Sequence, residues 1–173
     1  MSIHIIIDGY NLIRQSNTLS LIDRQDIQLG REALLDMLIS YRKIKGHMIT
    51  VVFDGTNAPP FSQHKNRVQG ITIKFSRSGE VADTVIKKMV SREKEKALVV
   101  SSDLDIVNFA SAKGAATISS SEFEEKISQT LYMEIKGVES KNESGWVPTT
   151  KKKGPSKRLS KKRRRSRTKI RKL

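Results

Sequence analysis

Short aliphatic runs separated by longer amphipathic stretches set the architecture open to this chain. The first run, Ile3 to Ile7, is apolar except at His4 and ends in Asp8. So short and continuous a run reads as a parallel strand buried on both faces. Met48 to Phe53, Val68 to Phe75, Ala97 to Val100 and Ala115 to Ile118 read as four more strands. From Asp26 to Lys45, Leu29, Ala33, Leu34, Met37, Leu38 and Tyr41 recur at helical spacing, and Gly46 stands where a helix C-terminus favours glycine. Gly79 to Arg92 carries Val81, Val85, Ile86 and Met89 on one side. Asp103 can cap a helix bearing Ile106, Val107 and Phe109 that ends at Lys113-Gly114. Ser121 begins a last helix to about Ile135, with Glu124 completing a capping box. Five strands joined by helical crossovers predict a three-layer, Rossmann-like α/β fold with a mostly parallel sheet.

The charge is unevenly placed. The chain has 173 residues and a formal net charge of +15. Of its 33 Lys and Arg, 14 fall between Lys151 and Leu173, leaving 19 against all 18 acids in the first 150 residues. Helical and strand periodicity fades after Gly137. The expected organisation is a globular domain over 1–136, a linker over 137–150 and a disordered basic tail over 151–173, which has too little apolar surface to offset ordering entropy.

Composition removes several functions. With no cysteine, disulfide scaffolds, thiolate zinc sites, cysteine nucleophiles and iron–sulfur clusters are excluded. Three scattered histidines make a poor His-rich metal site. No run approaches the roughly 18 apolar residues of a membrane span. The opening residues have no basic segment and meet Asp8 too early for a signal peptide. A cytoplasmic protein without membrane contact is expected, its chemistry run by carboxylates, hydroxyls, basic side chains or a hard cation.

Acids stand where an open parallel sheet binds ligands, beyond the carboxyl ends of its strands. Asp8 closes strand one in Ile-Asp-Gly-Tyr-Asn, Asp54 closes strand two in Phe-Asp-Gly, and Asp103 follows strand four in Val-Val-Ser-Ser-Asp. Asp83 opens the helix after strand three, and Glu80 and Asp105 lie close by in sequence. Singly, each reads equally well as a turn or a helix cap. Together they read otherwise, because carboxylates about 4 Å apart repel by about 1 kcal/mol even in water, and by more when desolvated. A set converging on one rim needs raised pKa values or a cation. All-oxygen ligands favour Mg²⁺ or Mn²⁺, which suits phosphodiester hydrolysis.

In their order and spacing, Asp-Gly-Tyr-Asn, Phe-Asp-Gly, Ala-Asp and Val-Val-Ser-Ser-Asp resemble the YacP-like NYN domain of the PIN-like nuclease superfamily, over roughly Met1 to Ile135. The resemblance implies a PIN/NYN fold and an endoribonuclease dependent on Mg²⁺ or Mn²⁺. Asp8, Asp83 and Asp103 match the acidic motif positions, with Asp54 a further metal-ligand candidate. Asn11 matches the polar residue of the first motif, a catalytic candidate that positions water or phosphate. Ser101, Ser102, Glu80 and Asp105 are accessory candidates. The expected reaction is in-line attack by a metal-activated water on RNA.

The tail, with Lys151, Lys152, Lys153, Lys161, Lys162, Arg163, Arg164 and Arg165, fits contact with RNA or a ribosome through phosphates. Lys65 and Arg67, in the loop from Gly55 to Gly70, are placed to guide a strand. Tyr10 either stacks on a base or fills space beneath that loop. His64 is a weak general-acid candidate, and Trp146 either stacks on a base or packs on the domain. The main rival is a non-catalytic RNA- or ribosome-binding protein on a nuclease-like scaffold. A haloacid dehalogenase-type phosphatase would want Asp-x-Asp after strand one, and dinucleotide binding would want a Gly-x-Gly-x-x-Gly turn; neither is present. Oligomeric state is left open by the sequence.

Overall fold

In a computed structural model that describes residues 3–58, 65–139 and 160–173, the aliphatic runs pair side by side. The central strand β1 (His4–Asp8) lies parallel to β2 (Met48–Phe53) on one side and to β5 (Ala97–Val100) on the other. Beyond β2 comes β4 (Ile71–Phe75), and beyond β5 comes β6 (Ala116–Ile118), both parallel to their neighbours. Among the described residues the sheet has six strands rather than five. The predicted run Val68–Phe75 splits at Gln69 and Gly70, which both take positive φ, 43° and 88°. Two such residues make the tight hairpin turn that suits twisted strands. It sends β3 (Lys65–Val68) back antiparallel along the sheet edge, giving the order β3-β4-β2-β1-β5-β6.

Alternation along the strands divides the core. Ile5 and Ile7 join Leu98, Val100, Val51 and Phe53 on one face, while Ile6 joins Val52, Ala97 and Val99 on the other. Over the first face lie α1 (Gly9–Gln15), α2 (Asn17–Gln25), α3 (Ile27–Lys45) and α6 (Ser120–Glu139); over the second lie α4 (Ala82–Glu93) and α5 (Leu104–Ala112). The expected α/β layering is therefore present. Asp26 caps α3 by accepting from the N–H groups of Gln28 and Leu29 at 2.6 and 3.2 Å, and Gly46 ends it in the left-handed region at φ 68°.

Two local readings change. Helices α1 and α2 occupy a stretch to which the sequence pattern assigned no element. Ser16 forms their corner and caps α2 through Leu19 N. Glu124 does not complete a capping box; it accepts from Ser16 Oγ at 2.5 Å, and Ser119 Oγ caps α6 through Glu122 N.

The larger correction concerns the tail. Disorder was expected throughout 151–173, yet Lys161–Lys172 forms a helix, α7, that packs near β6. Its few apolar residues sit at the right places. Ile170 joins the first core, and Leu173 is 4 % exposed within it. Tyr41 Oη donates to Leu173 O at 3.0 Å, and His47 Nε2 donates to Lys172 O at 3.2 Å. Composition hid this because two well-placed aliphatics can anchor a helix that is otherwise nearly all cationic. Leu173→Ala should destabilise the protein by about 2–3 kcal/mol, read as a lower urea midpoint; an unchanged midpoint would mean that α7 is not part of the folded core.

Candidate active site

At adjacent strand ends the chain leaves the sheet in opposite directions. From β1 it passes to α1 on one face, and from adjacent β5 to α5 on the other, which is the topological switch point of an open sheet. Asp8 ends β1 two residues beyond Ile6, so alternation aims it toward the α4/α5 layer. There, Asp83 lies in the first turn of α4 and Asp103 caps α5. Three acids distant in sequence thus come from one strand end and two helix starts.

Their charges act on one another. Asp8 is only 9 % exposed, and its pKa is pushed up to about 6, first by burial and then by the charges of Asp83 and Asp103. The hydrogen bonds it accepts, from Asn11 N and Ser101 Oγ, both at 3.3 Å, offset only part of this. Asp83 is also raised, by burial and then by Asp103, with Asp105 adding to the effect and Lys87 opposing it. Lys87 itself pairs with Asp105, and its pKa is raised chiefly by that bond.

Ser101 and Asn11 are the joints of this arrangement. Fully buried Ser101 donates to Asp8 Oδ2 and accepts from Asp103 N at 3.1 Å, so one hydroxyl ties the two acids together. Burial places it behind the carboxylates rather than against a phosphate. Asn11 Oδ1 accepts from Ser102 N at 2.9 Å and from Ser120 Oγ at 2.7 Å, while Ser120 N donates to Ser102 Oγ at 3.2 Å. The Asn11 carbonyl is thus committed to tying α1 to the segments that follow β5 and β6. Ser120 and Lys87 are site residues that the sequence reading missed. The Ser119-Ser120-Ser121 run beyond β6 was the available signal for the first; the second had none beyond its place one turn after Asp83.

Asp54 stands beside the start of α4, where its carboxylate meets the backbone N–H of Ala82, one residue before Asp83. Asp54 is held by Thr56, accepting from its N–H at 2.9 Å and from its hydroxyl at 2.5 Å, and its pKa is lowered mainly by those bonds. It is not among the charges that raise Asp8. Glu80 binds Lys88 at 2.5 Å on the exposed outer side of α4. Tyr10 is 7 % exposed, with its ring edge against Phe53 and its hydroxyl accepting from Arg31 Nη1 at 2.9 Å. It fills space and offers no face to a base. Arg67 is exposed on edge strand β3, whereas Arg163, Arg164 and Arg165 lie on α7. Trp146, His64 and Lys151, Lys152 and Lys153 fall outside the described residues, as do the side chains of Lys65, Lys161 and Lys162.

The two Asp-Gly pairs, read as turns, need glycine for close approach. A Cβ on Gly9 would fall 2.3 Å from Phe53 Cε1, and one on Gly55 would fall 2.0 Å from Ser76 O. Gly9 therefore lets α1 start flush against β2, immediately after Asp8.

Compared with known proteins, residues 5–172 match the family model of the YacP-like NYN domain. The chain belongs to that family. Its fold is similar to the crystal structure of Rae1 (YacP) from Bacillus subtilis, with a TM-score of 0.65 at 23% identity over 80% of each chain. A single-substitution mutant of the same protein gives 0.64 at 23% identity, over 82% of this chain and 86% of that one. No curated protein matches the chain. The family places it on a PIN-like nuclease fold, and the match includes the stretch that forms α7.

Burial of Asp8 carries a sign-definite consequence. A carboxyl whose folded pKa lies above its unfolded value costs stability once both states ionise. Stability therefore falls as pH rises from about 4 to about 6, by about 3 kcal/mol. Asn at position 8 can still cap α1 but carries no charge. In the absence of divalent ions, the stability of Asp8→Asn relative to wild type should rise by about 3 kcal/mol between pH 4 and pH 7. A pH-independent difference in denaturation midpoints would contradict the raised carboxyl.

Proposed function

We propose that the chain is a metal-dependent endoribonuclease hydrolysing RNA phosphodiester bonds at the rim formed by Asp8, Asp83 and Asp103. The observation that carries this reading is the buried Asp8 carboxylate facing two further acids, an arrangement that disfavours its own ionisation until a cation arrives. The donor chemistry fits a hard divalent ion, Mg²⁺ or Mn²⁺. Among the described residues, no three Asp, Glu, His or Cys side chains are gathered tightly enough to hold an ion by themselves. That suits Mg²⁺, which keeps several waters and is commonly bound by one or two carboxylates plus substrate phosphate. Asp8, Asp83 and Asp103 would hold it in part through its waters. When bound, such an ion neutralises phosphate charge and acidifies water.

The chain's own groups do the rest. Ser101 fixes Asp8 and Asp103 relative to each other. Asn11, locked by Ser102 and Ser120, keeps the β1, β5 and β6 ends at constant spacing. The starts of α4 and α5 bring positive dipole ends to the rim, where they favour a phosphate. Lys87 limits the net negative charge that an approaching RNA backbone meets. The products of in-line attack would be 3′-hydroxyl and 5′-phosphate ends. We assign mRNA or ribosome-associated RNA as the substrate and the cytoplasm as the setting. Among the described residues no helix is long and apolar enough to cross a membrane.

The alternative is a non-catalytic RNA- or ribosome-binding protein on this scaffold. Cleavage of mixed RNA with Mn²⁺ separates the two. Asp8→Asn and Asp83→Asn should each abolish most cutting, and Ser101→Ala should slow it about 10–100-fold, as expected for a residue behind the ligands. Wild-type rates in Asp8→Asn, or no Mn²⁺-dependent cutting by the wild type, would leave the binding-protein reading.

A further inference from the structure

Helices α4 and α5 begin at the acids and pack against each other. On α4, Asp83, Lys87 and Ser91 follow at spacing four; on α5 and its C-terminal cap, Asp105, Phe109 and Lys113 do the same. Residues so spaced share one helix face, so each series leads from the rim along a single side. The two sides meet. Lys87 pairs with Asp105, and its ammonium lies 5.8 Å from the centre of the Phe109 ring. Beside that pair lies a groove of about 420 Å³, lined by Thr84, Lys87, Lys88, Ser91, Arg92 and Phe109. No acid is among those residues.

One aromatic ring among cations and hydroxyls is the chemistry that holds single-stranded nucleic acid, where bases stack and phosphates are neutralised. Phe109 packs in part on the core of Ile6, Val99 and Ile106, and its remaining surface lines the groove. The ammonium of Lys113 stands 5.5 Å from the ring centre. Lys87 and Lys88 are already held, by Asp105 and Glu80. Exposed Arg92 and Lys113 make no ion pair among the described residues. Both stand at helix C-termini, where cations are favoured. That accounts for their sign, but not for the half-open ring beside them.

We infer that this groove holds a nucleotide of single-stranded RNA next to the one presented to the acids, its base stacked on Phe109 and its flanking phosphates on Arg92 and Lys113. The inference rests on the nuclease reading for the identity of the polymer and for the direction of the strand. Phe109 lies one turn, about 6 Å, beyond Asp105, about the length of one nucleotide in an extended strand. Every base has a π-face, so the contact positions the strand without reading its sequence. A free nucleoside phosphate offers the same base and charge, but can fill only this one site.

Binding measured in EDTA involves no cleavage, so failure of the nuclease reading leaves the result interpretable. Amide resonances of Thr84 and Ser91 report occupancy of the groove itself, apart from any contact that α7 makes. For the full chain, Phe109→Leu keeps an apolar side chain against the core but removes the π-face. It should weaken groove binding of a single-stranded RNA of about ten nucleotides roughly 10-fold. On an abasic strand of the same length it should change nothing, since no base is there to stack; a purely structural role for Phe109 would weaken both strands alike. Arg92→Gln with Lys113→Gln, both on the surface, should weaken the two strands equally and flatten the slope of log K against log salt by about 1.4. This pair keeps the test decisive should Phe109→Leu fail to fold. Resonances of Thr84 and Ser91 that do not move with RNA, unchanged affinity in either variant, an equal loss from Phe109→Leu on both strands, or AMP binding more tightly than the strand would overturn the proposal.

Discussion

A buried carboxylate within electrostatic reach of two others is the constraint around which this fold is organised. Ionised Asp8 lacks water on most sides and faces Asp83 and Asp103, so near neutral pH it holds the structure at a cost of about 3 kcal/mol. That is a large part of the 5–15 kcal/mol by which a domain of this kind exceeds its unfolded state. The surrounding elements lessen the cost. Asp8 caps α1, Asp103 caps α5 through Asp105 N at 2.8 Å, and Lys87 approaches from α4. Capping also explains how Asp8 and Asp103 can look purely structural when considered alone.

The same bonds make the rim rigid. Asn11 reaches from α1 to Ser102 after β5 and to Ser120 at the start of α6, so three chain segments share one amide oxygen. Gly9 allows α1 to begin directly at the strand end because Phe53 occupies the space a side chain would need. His4, at the other end of β1, bonds Glu93 of α4 at 2.6 Å and Thr50 of β2 at 2.8 Å. The central strand is thereby pinned at both ends, and its acid is presented from a fixed backbone.

Much of this was legible in the residues. The aliphatic runs gave five parallel strands in their places, because a strand buried on both faces leaves a continuous apolar signature. The acids at strand ends and helix starts were visible because parallel topology dictates where such ends meet. What escaped notice depended on contacts between distant residues. Nothing within the Ser119-Ser120-Ser121 run singles out Ser120 as the partner of Asn11, and Glu124 answers Ser16 rather than its own helix cap. The β3–β4 hairpin hid inside one apolar run because Gln69, a residue not typical of positive φ, takes half of the turn. In α7, charge dominates the composition, while two apolar residues decide the packing. Its order moves the basic charge from a free arm to a fixed face at the opposite end from the acids.

The central claim is that Asp8, Asp83 and Asp103 act as one divalent-cation site, and carboxyl-carbon NMR of Asp8 tests it most directly. Without divalent ions its titration midpoint should lie near 6. Saturating Mg²⁺ should lower that midpoint in the wild type, and the shift should shrink when Asp103 is replaced by Asn. A midpoint in the ordinary carboxylate range, or one indifferent to Mg²⁺, would contradict the account.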